Sequence, residues 1–455
     1  MNLEPLKTLL ENLYNAIFLG DAPPKLNLPI LIMAFIFFVI IILSYSFEKL
    51  DYVAISLICA FICALITGIV LQLGLETFIS HIEFEAILIL LSMSIITKIA
   101  EESNILEYFA VKLFKLSGGN QRTFFYFICI ITTLLAAIIT DVVVVLIIAP
   151  VVIRLCHFLK IRSGTYLLGM TISINIGSII TPFASGENII ISTAFNLDTL
   201  YFIENFWIFS FSLLFLTIYL LDHFVIAKEP KIEEQQKKIV IELIDTDIVV
   251  KNKKMFYINL IGILITILLF AILPLLYITA IIAAMLLVLI NRKFTKKSTS
   301  DLLKGVEWEV IFFFISLYLV IGCLLEAGFQ QLFSIEAGIP PILLGFIILL
   351  VVSGLSGAVA NTPTALIFIP IVQTIINSGY AAAPILFAFL IGINLGGNFL
   401  PQGAACDLMT LKIARDSGVE NLNYRRLLKN GALFAFIHLA VSIIYLIFLT
   451  LIKTI

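Results

Sequence analysis

The sequence predicts an all-α membrane protein built from two inverted five-crossing repeats, each with a re-entrant helical hairpin and a broken helix. Three observations predict it. The chain has 455 residues, of which 61% are hydrophobic and 13% charged, with a mean hydropathy of +1.13. Apolar runs long enough to cross a bilayer, about 20 residues each, recur along it. A polar phrase occurs twice: TDVVVVLIIAP at 140–150 and ANTPTALIFIP at 360–370, followed by NIGSIITPFASGEN from Asn175 and NLGGNFLPQGAACD from Asn394. Finally, Lys and Arg divide unevenly between the loops, which orients the segments.

The elements follow in order. Residues 1–27 form an N-terminal interfacial segment, with Leu3, Leu6, Leu9, Leu10, Leu13 and Ile17 at helical spacing. Residues 28–225 form the first repeat, with a hairpin at 123–159 and a broken helix at 165–198. A linker, 226–254, mixes Lys with Glu and is too short for a domain. Residues 255–455 form the second repeat, with a hairpin at 342–377 and a broken helix at 383–415. Each hairpin segment is apolar and interrupted at its midpoint, by Thr140-Asp141 in the first and by Ser353 to Asn361 in the second. Such a segment can be two crossings or one re-entrant loop, and charge decides. With both hairpins re-entrant, one face collects Lys98, Lys112, Lys115, Arg154, Lys160, the linker lysines, Arg292, Lys293, Lys412 and Arg425. The loops 72–82, 199–204, 326–341 and 378–382 of the other face hold no Lys or Arg. That arrangement gives ten crossings of the plasma membrane with both termini outside. Five crossings per half is an odd number, so the second half enters the membrane upside down, the architecture of many secondary transporters.

The duplicated polar positions are the candidate site. Asp141 aligns with Asn361, Pro150 with Pro370, Gly177 with Gly396, Pro182 with Pro401 and Asn188 with Asp407. Polar groups at membrane depth are expensive and mark substrate or ion pathways. The candidates are Asp141, Asn175, Glu187, Asn188, Asn361, Thr362, Thr364, Asn394, Asn398, Gln402 and Asp407. Broken helices expose half-helix N-termini that hold anions, and the carbonyl-rich breaks near Asp141, Asn175, Asn361 and Asn394 suit Na⁺. Asp141, Glu187 and Asp407 have no Lys or Arg at their depth, so each takes up a proton or binds a cation. The bland readings are helix capping for Asp141 and Asp407, a rim position for Glu187, interhelical hydrogen bonding for the asparagines, and close packing for the Gly392/Gly396 pair. His438 receives no role.

Several classes are set aside. The net charge of −2 points to no nucleic-acid partner, and six scattered cysteines have neither zinc nor redox spacing. No HExxH, GxSxG or paired catalytic His and Ser is present, so no enzyme and no organic cofactor is expected. A cation-coupled carrier of a small anion or oxyanion leads, with H⁺ or Na⁺ as coupling ion. A Na⁺/H⁺ antiporter, in which the acids are themselves the cation site, is the first alternative. A passive channel is the alternative of another class.

At these residues the chain resembles the ion transporter superfamily, which groups arsenite permeases, NhaD-type Na⁺/H⁺ antiporters, the pigment-cell P protein, citrate carriers and divalent-anion/Na⁺ symporters. The resemblance covers roughly 80–430. It rests on Thr140-Asp141 through Pro150, on Asn175, Gly177, Thr181, Pro182, Asn188 and Ile189, and on Asn361, Pro363 and Thr364. It continues through Leu395 to Asn398, Pro401 to Gly403, and Ala414-Arg415. It implies a scaffold domain, a mobile hairpin-bearing transport domain, an elevator-like motion and a homodimer. The chain departs from the family at Thr140, where a tip Asn is usual. It departs again at Ala360, where NhaD-like members have Asp, and at Glu187 and Asp407, where neutral residues are usual. The Ser-Asn-Thr tips of the Na⁺/dicarboxylate branch are absent. The match is therefore nearest the arsenite-permease-like or anion-permease-like branch, with the substrate open: arsenite, sulfate or a carboxylate.

Overall fold

Backbone amides in hydrocarbon have no water to bond, and apolar runs of about 20 residues satisfy them within the segment as helices. The structure is a computed structural model that describes residues 26–46, 50–229, 250–273, 275–295, 299–333 and 339–453. Among the described residues there is no strand. The interfacial helix expected in the first 20 residues, and positions 230–249 of the linker, lie outside them.

The first half contains α1 (Leu28–Ser46), α2 (Tyr52–Leu71), α3 (Leu75–Ser80), α4 (Phe84–Glu102) and α5 (Ile105–Leu116). It continues with α6 (Gln121–Ala136), α7 (Asp141–Phe158), α8 (Ser163–Gly177), α9 (Gly186–Phe195) and α10 (Thr199–Phe224). The second half contains α11 (Lys253–Ile272), α12 (Leu276–Thr295), α13 (Thr299–Leu303), α14 (Trp308–Glu326), α15 (Pro341–Val359) and α16 (Asn361–Asn377). It ends with α17 (Ala382–Gly396), a 3₁₀ turn at Gly397–Phe399, α18 (Ala405–Asp416) and α19 (Tyr424–Lys453). Short polar side chains start many of them: Asp51, Asn120, Asp198 and Asn252 each accept a hydrogen bond from a first-turn amide of α2, α6, α10 and α11.

Ten helices of the described residues are long and apolar enough to cross a membrane. They are not the ten segments of the charge-based reading. The arms Asp141–Phe158 and Pro341–Val359 are among them, whereas α4 and the first broken helix are not. Length and apolarity test whether a helix can cross, not whether the chain turns back. A 15-residue helix such as α8 spans only about 22 Å, short of a hydrocarbon core of about 30 Å.

The chain divides into two compact units. The first is Met1–Ile82 with Phe312–Glu336, the second Glu83–Ile311 with Ala337–Ile455, so neither follows the halves of the sequence. In the first unit α1 packs on α2. Tyr45 stacks on Phe313 of α14 with ring centroids 4.9 Å apart, and Tyr52 meets both rings edge-on. His81 Nε2 and Glu326 Oε1 pair at 2.9 Å. On α2, Ile58, Phe61, Leu65 and Ile69 form an exposed stripe at helical spacing. In a membrane protein that stripe faces lipid. In the second unit α4 packs on α11 and α12. There Asn259 donates to Ser103 at 2.5 Å and exchanges two hydrogen bonds with Asn291, each 2.7 Å. The third long helix of each half thus associates with the first two of the other.

At the centre of the second unit lie α8 and α17. Every residue from Gly164 to Gly177 is buried, and so is every residue from Pro384 to Gly396. Both helices are thus covered on every face, including their polar residues such as Asn175 and Asn394. α6 packs on α8 and α15 on α17, while α7 packs on α18 and α16 on α9. Each hairpin therefore packs both arms on its own half and sets one of them against the opposite half as well. Two glycines permit the close approach. A Cβ on Gly177 would lie 2.3 Å from the Thr133 carbonyl oxygen, and one on Gly396 would lie 2.5 Å from that of Ser353.

Candidate functional site

Both central helices stop at the duplicated motifs. Pro182 and Pro401 each lack an N–H, so neither helix can run on through them. The chain restarts at Ser185, whose hydroxyl caps α9 by accepting from the Asn188 amide at 3.4 Å, and at Ala404, which opens α18 with no side-chain cap. The hairpin tips restart the same way. α7 begins at Asp141 with Thr140 in the cap position, so Asp141 is the first helical residue rather than the cap of a helix from Val142. α16 begins at Asn361 after Ala360, whose φ of 118° and ψ of 157° lie where side chains are strained.

Around Asp407 the partners come from α8, α18 and the 3₁₀ turn. Its carboxylate, 1% exposed, accepts from Thr171 Oγ1 at 2.5 Å and from Asn175 Nδ2 at 3.5 Å. Asn175 also donates to Asn398 Oδ1 at 2.9 Å and accepts from Cys406 Sγ at 3.0 Å. The Asn398 Nδ2 is buried and has no partner.

Around Glu187 the partners come from the opposite hairpin and from the cap of its own helix. Its carboxylate, 6% exposed, accepts from Asn361 Nδ2 at 2.9 Å, with further side-chain hydrogen bonds to Ser185 and Thr362. Asn361 Oδ1 accepts from Ser356 Oγ at 2.6 Å, and the Asn361 amide donates to the Gly403 carbonyl at 3.0 Å.

A third set joins these two. Asn188 Nδ2 donates to the carbonyls of Ser178 at 2.6 Å and Thr181 at 3.1 Å, and its Oδ1 accepts from Asn394 Nδ2 at 2.8 Å. Ser178 Oγ bonds both Asn394 Oδ1 and the Asn175 carbonyl at 3.0 Å. The freed backbone of the breaks is thereby satisfied inside protein, as membrane depth requires. Among the described residues no Lys or Arg pairs with Asp141, Glu187 or Asp407. Asp141, half-buried, interacts electrostatically with both other acids.

Of the sequence candidates, Asn175, Glu187, Asn188, Asn361, Thr362, Asn394, Asn398 and Asp407 thus share one connected region with Asp141 at its edge. Thr364 turns to its own helix, donating to the Ala360 carbonyl at 2.8 Å. Gln402 accepts from Tyr424 at 2.7 Å, away from both acids' partners. Sequence reading passed over Thr171, Ser178 and Ser356. The signal was present for the first two, because 171, 175 and 178 share one face of a helix. Ser356 carried none, since its partner comes from the far side of a turn.

A family model described as "Citrate transporter" (CitMHS) matches residues 35–392. The chain is 24% identical over 435 residues to an uncharacterized transporter of Mycobacterium tuberculosis, covering 91% of this chain and 98% of that one. It is 26% identical over 430 residues to a 46 kDa membrane protein of Mycobacterium leprae, with the same coverage, 91% and 98%. Among solved structures it resembles the YdaH transporter of Alcanivorax borkumensis, described as having an unusual topology. The TM-score is 0.56 at 12% identity, over 83% of this chain and 87% of that one.

Proposed function

Because the chain belongs to the citrate transporter family CitMHS, we propose that this membrane transporter is a secondary active carrier, coupled to H⁺ or Na⁺, that moves a small carboxylate-class anion. The observation that carries the reading is Asp407, a buried carboxylate whose hydrogen-bond partners are all neutral. Such a group is stable only with a proton or a cation, which links its occupancy to an ion gradient. Four half-helix N-termini, those of α7, α9, α16 and α18, lie among the same residues and supply partial positive charge for an anion.

The mechanism we infer is alternating access with an elevator-like movement of the hairpins. The first hairpin dips from the Lys- and Arg-rich side and the second from the other, with both chain termini outside and two copies forming a dimer. Na⁺, if it is the coupling ion, has oxygen donors near Asp141, Asn175, Asn361 and Asn394. The three acids also favour a second reading, Na⁺/H⁺ exchange. Purified protein in proteoliposomes separates the two. Uptake of citrate, C4-dicarboxylates, sulfate, phosphate and arsenite is followed under imposed Na⁺ or pH gradients. Uphill uptake of a carboxylate is the expected result. Na⁺/H⁺ exchange with no anion movement would select the antiporter.

A further inference from the structure

We propose that a cavity beside the first hairpin tip is the docking vestibule for the substrate, and that Lys98 binds one of its carboxylates there. This rests on the reading of the protein as a carboxylate carrier. The cavity holds about 370 Å³ and is lined by Ser94, Thr97, Lys98 and Glu101 of α4, by Thr140 of the tip, and by Glu307. Its volume falls at the small end of small-molecule sites. Thr140 immediately precedes Asp141, and Val143, Leu146 and Ile147 of the same arm also line the cavity, so it runs beside the candidate site.

Positions 94, 97, 98 and 101 follow the i, i+3, i+4, i+7 pattern and present one polar face of α4. Three of them, Ser94, Thr97 and Lys98, carry donors for a carboxylate. Lys98 is the one base lining the cavity among the described residues. Its ammonium is paired with Glu101 Oε2 at 2.8 Å, with side chains 33% and 44% exposed. An ion pair this open is weak. Glu101 then holds the place that a substrate carboxylate takes by exchange. The Thr97 hydroxyl is buried with no partner, in a residue only 4% exposed. A buried polar atom without a partner calls for a ligand or water. Ser94 Oγ accepts from the Glu307 amide at 3.1 Å, which leaves its own proton to donate. Glu307 also lines the cavity, and its backbone amide holds the Ser94 hydroxyl in place.

The test is citrate and succinate uptake by the full chain in proteoliposomes, comparing KM with kcat. Lys98→Ala is expected to raise KM about tenfold or more, the scale of one charge-assisted contact, with kcat changed little. Lys98→Arg should restore KM to within about threefold, since charge is retained. Glu101→Gln removes the internal competitor and should lower KM by about twofold or more. A merely structural ion pair would make both truncations harmful, so the opposite sign for Glu101→Gln is the discriminating result. Wild-type KM in both Lys98→Ala and Glu101→Gln, with carboxylate uptake intact, overturns the vestibule alone. Wild-type protein that moves no carboxylate overturns the underlying reading as well. If Lys98→Ala does not fold, Glu101→Gln and Lys98→Arg still decide.

Discussion

The break after Gly177 and the break after Gly396 stand at matching positions in the two halves, yet they hold their acids differently. Asn188 and Asp407 align, and both turn toward the interior: Asn188 meets Asn394, and Asp407 meets Asn175. One residue earlier, Glu187 aligns with Cys406. Glu187 reaches the second hairpin tip at Asn361, whereas Cys406 donates to Asn175 of the central helix. Adjacent residues of a helix point about 100° apart, so moving the acid by one position changes which element it meets. The second hairpin tip is neutral and receives its acid from Glu187. The first tip carries its own acid, Asp141, and leans through α7 on the helix that bears Asp407. The lesson is that the two halves keep one geometry but divide the charge, the first half supplying Asp141 and Glu187 and the second Asp407.

The largest effect tests that division. Asp407→Asn should reduce gradient-driven uptake at least about 100-fold, the scale of removing one buried charge, roughly 3 kcal/mol. Glu187→Gln keeps an acceptor for Asn361 and should cost about tenfold. Flux with and without an imposed Na⁺ or pH gradient reads both. Equal losses, with equal loss of gradient dependence, would mean that the asymmetry has no functional weight.

The next effect tests the shared geometry. Gly177→Ala and Gly396→Ala each drive a methyl group into a backbone carbonyl, of Thr133 and of Ser353. Backbone cannot move aside as a side chain can, so each variant should lose about 1–3 kcal/mol of stability. Thermal unfolding in detergent measures this, and an unchanged Tm for either would break the equivalence of the two breaks. The smallest effect separates the hairpin tips. Ala360 sits at φ 118°, whereas Thr140 sits at an ordinary φ of −55°. Ala360→Gly should therefore stabilise by about 1 kcal/mol, and Thr140→Gly should destabilise by about 0.5–1 kcal/mol. The same sign for both would remove this contrast.

The amino-acid sequence by itself determined the all-helical membrane class, because apolar runs of this length leave the backbone no other partner. It also pointed to most of the polar cluster, because Asn175, Asn188, Asn394 and Asp407 stand out against an apolar background where each polar group is costly. It could not say that Thr364 would bond its own helix or that Gln402 would turn to Tyr424, since neither residue type reveals its direction. Nor could it expose Ser356, whose neighbour Asn361 looks distant along a helix and is near only across a strained turn. The exchange of α4 and α14 between halves, and the leaning of α7 on α18 and α16 on α9, belong to tertiary structure alone. Periodicity reports which face of a helix is apolar. Which other helix covers that face is chosen by shape, and the glycines at 177 and 396 show how closely that choice is made.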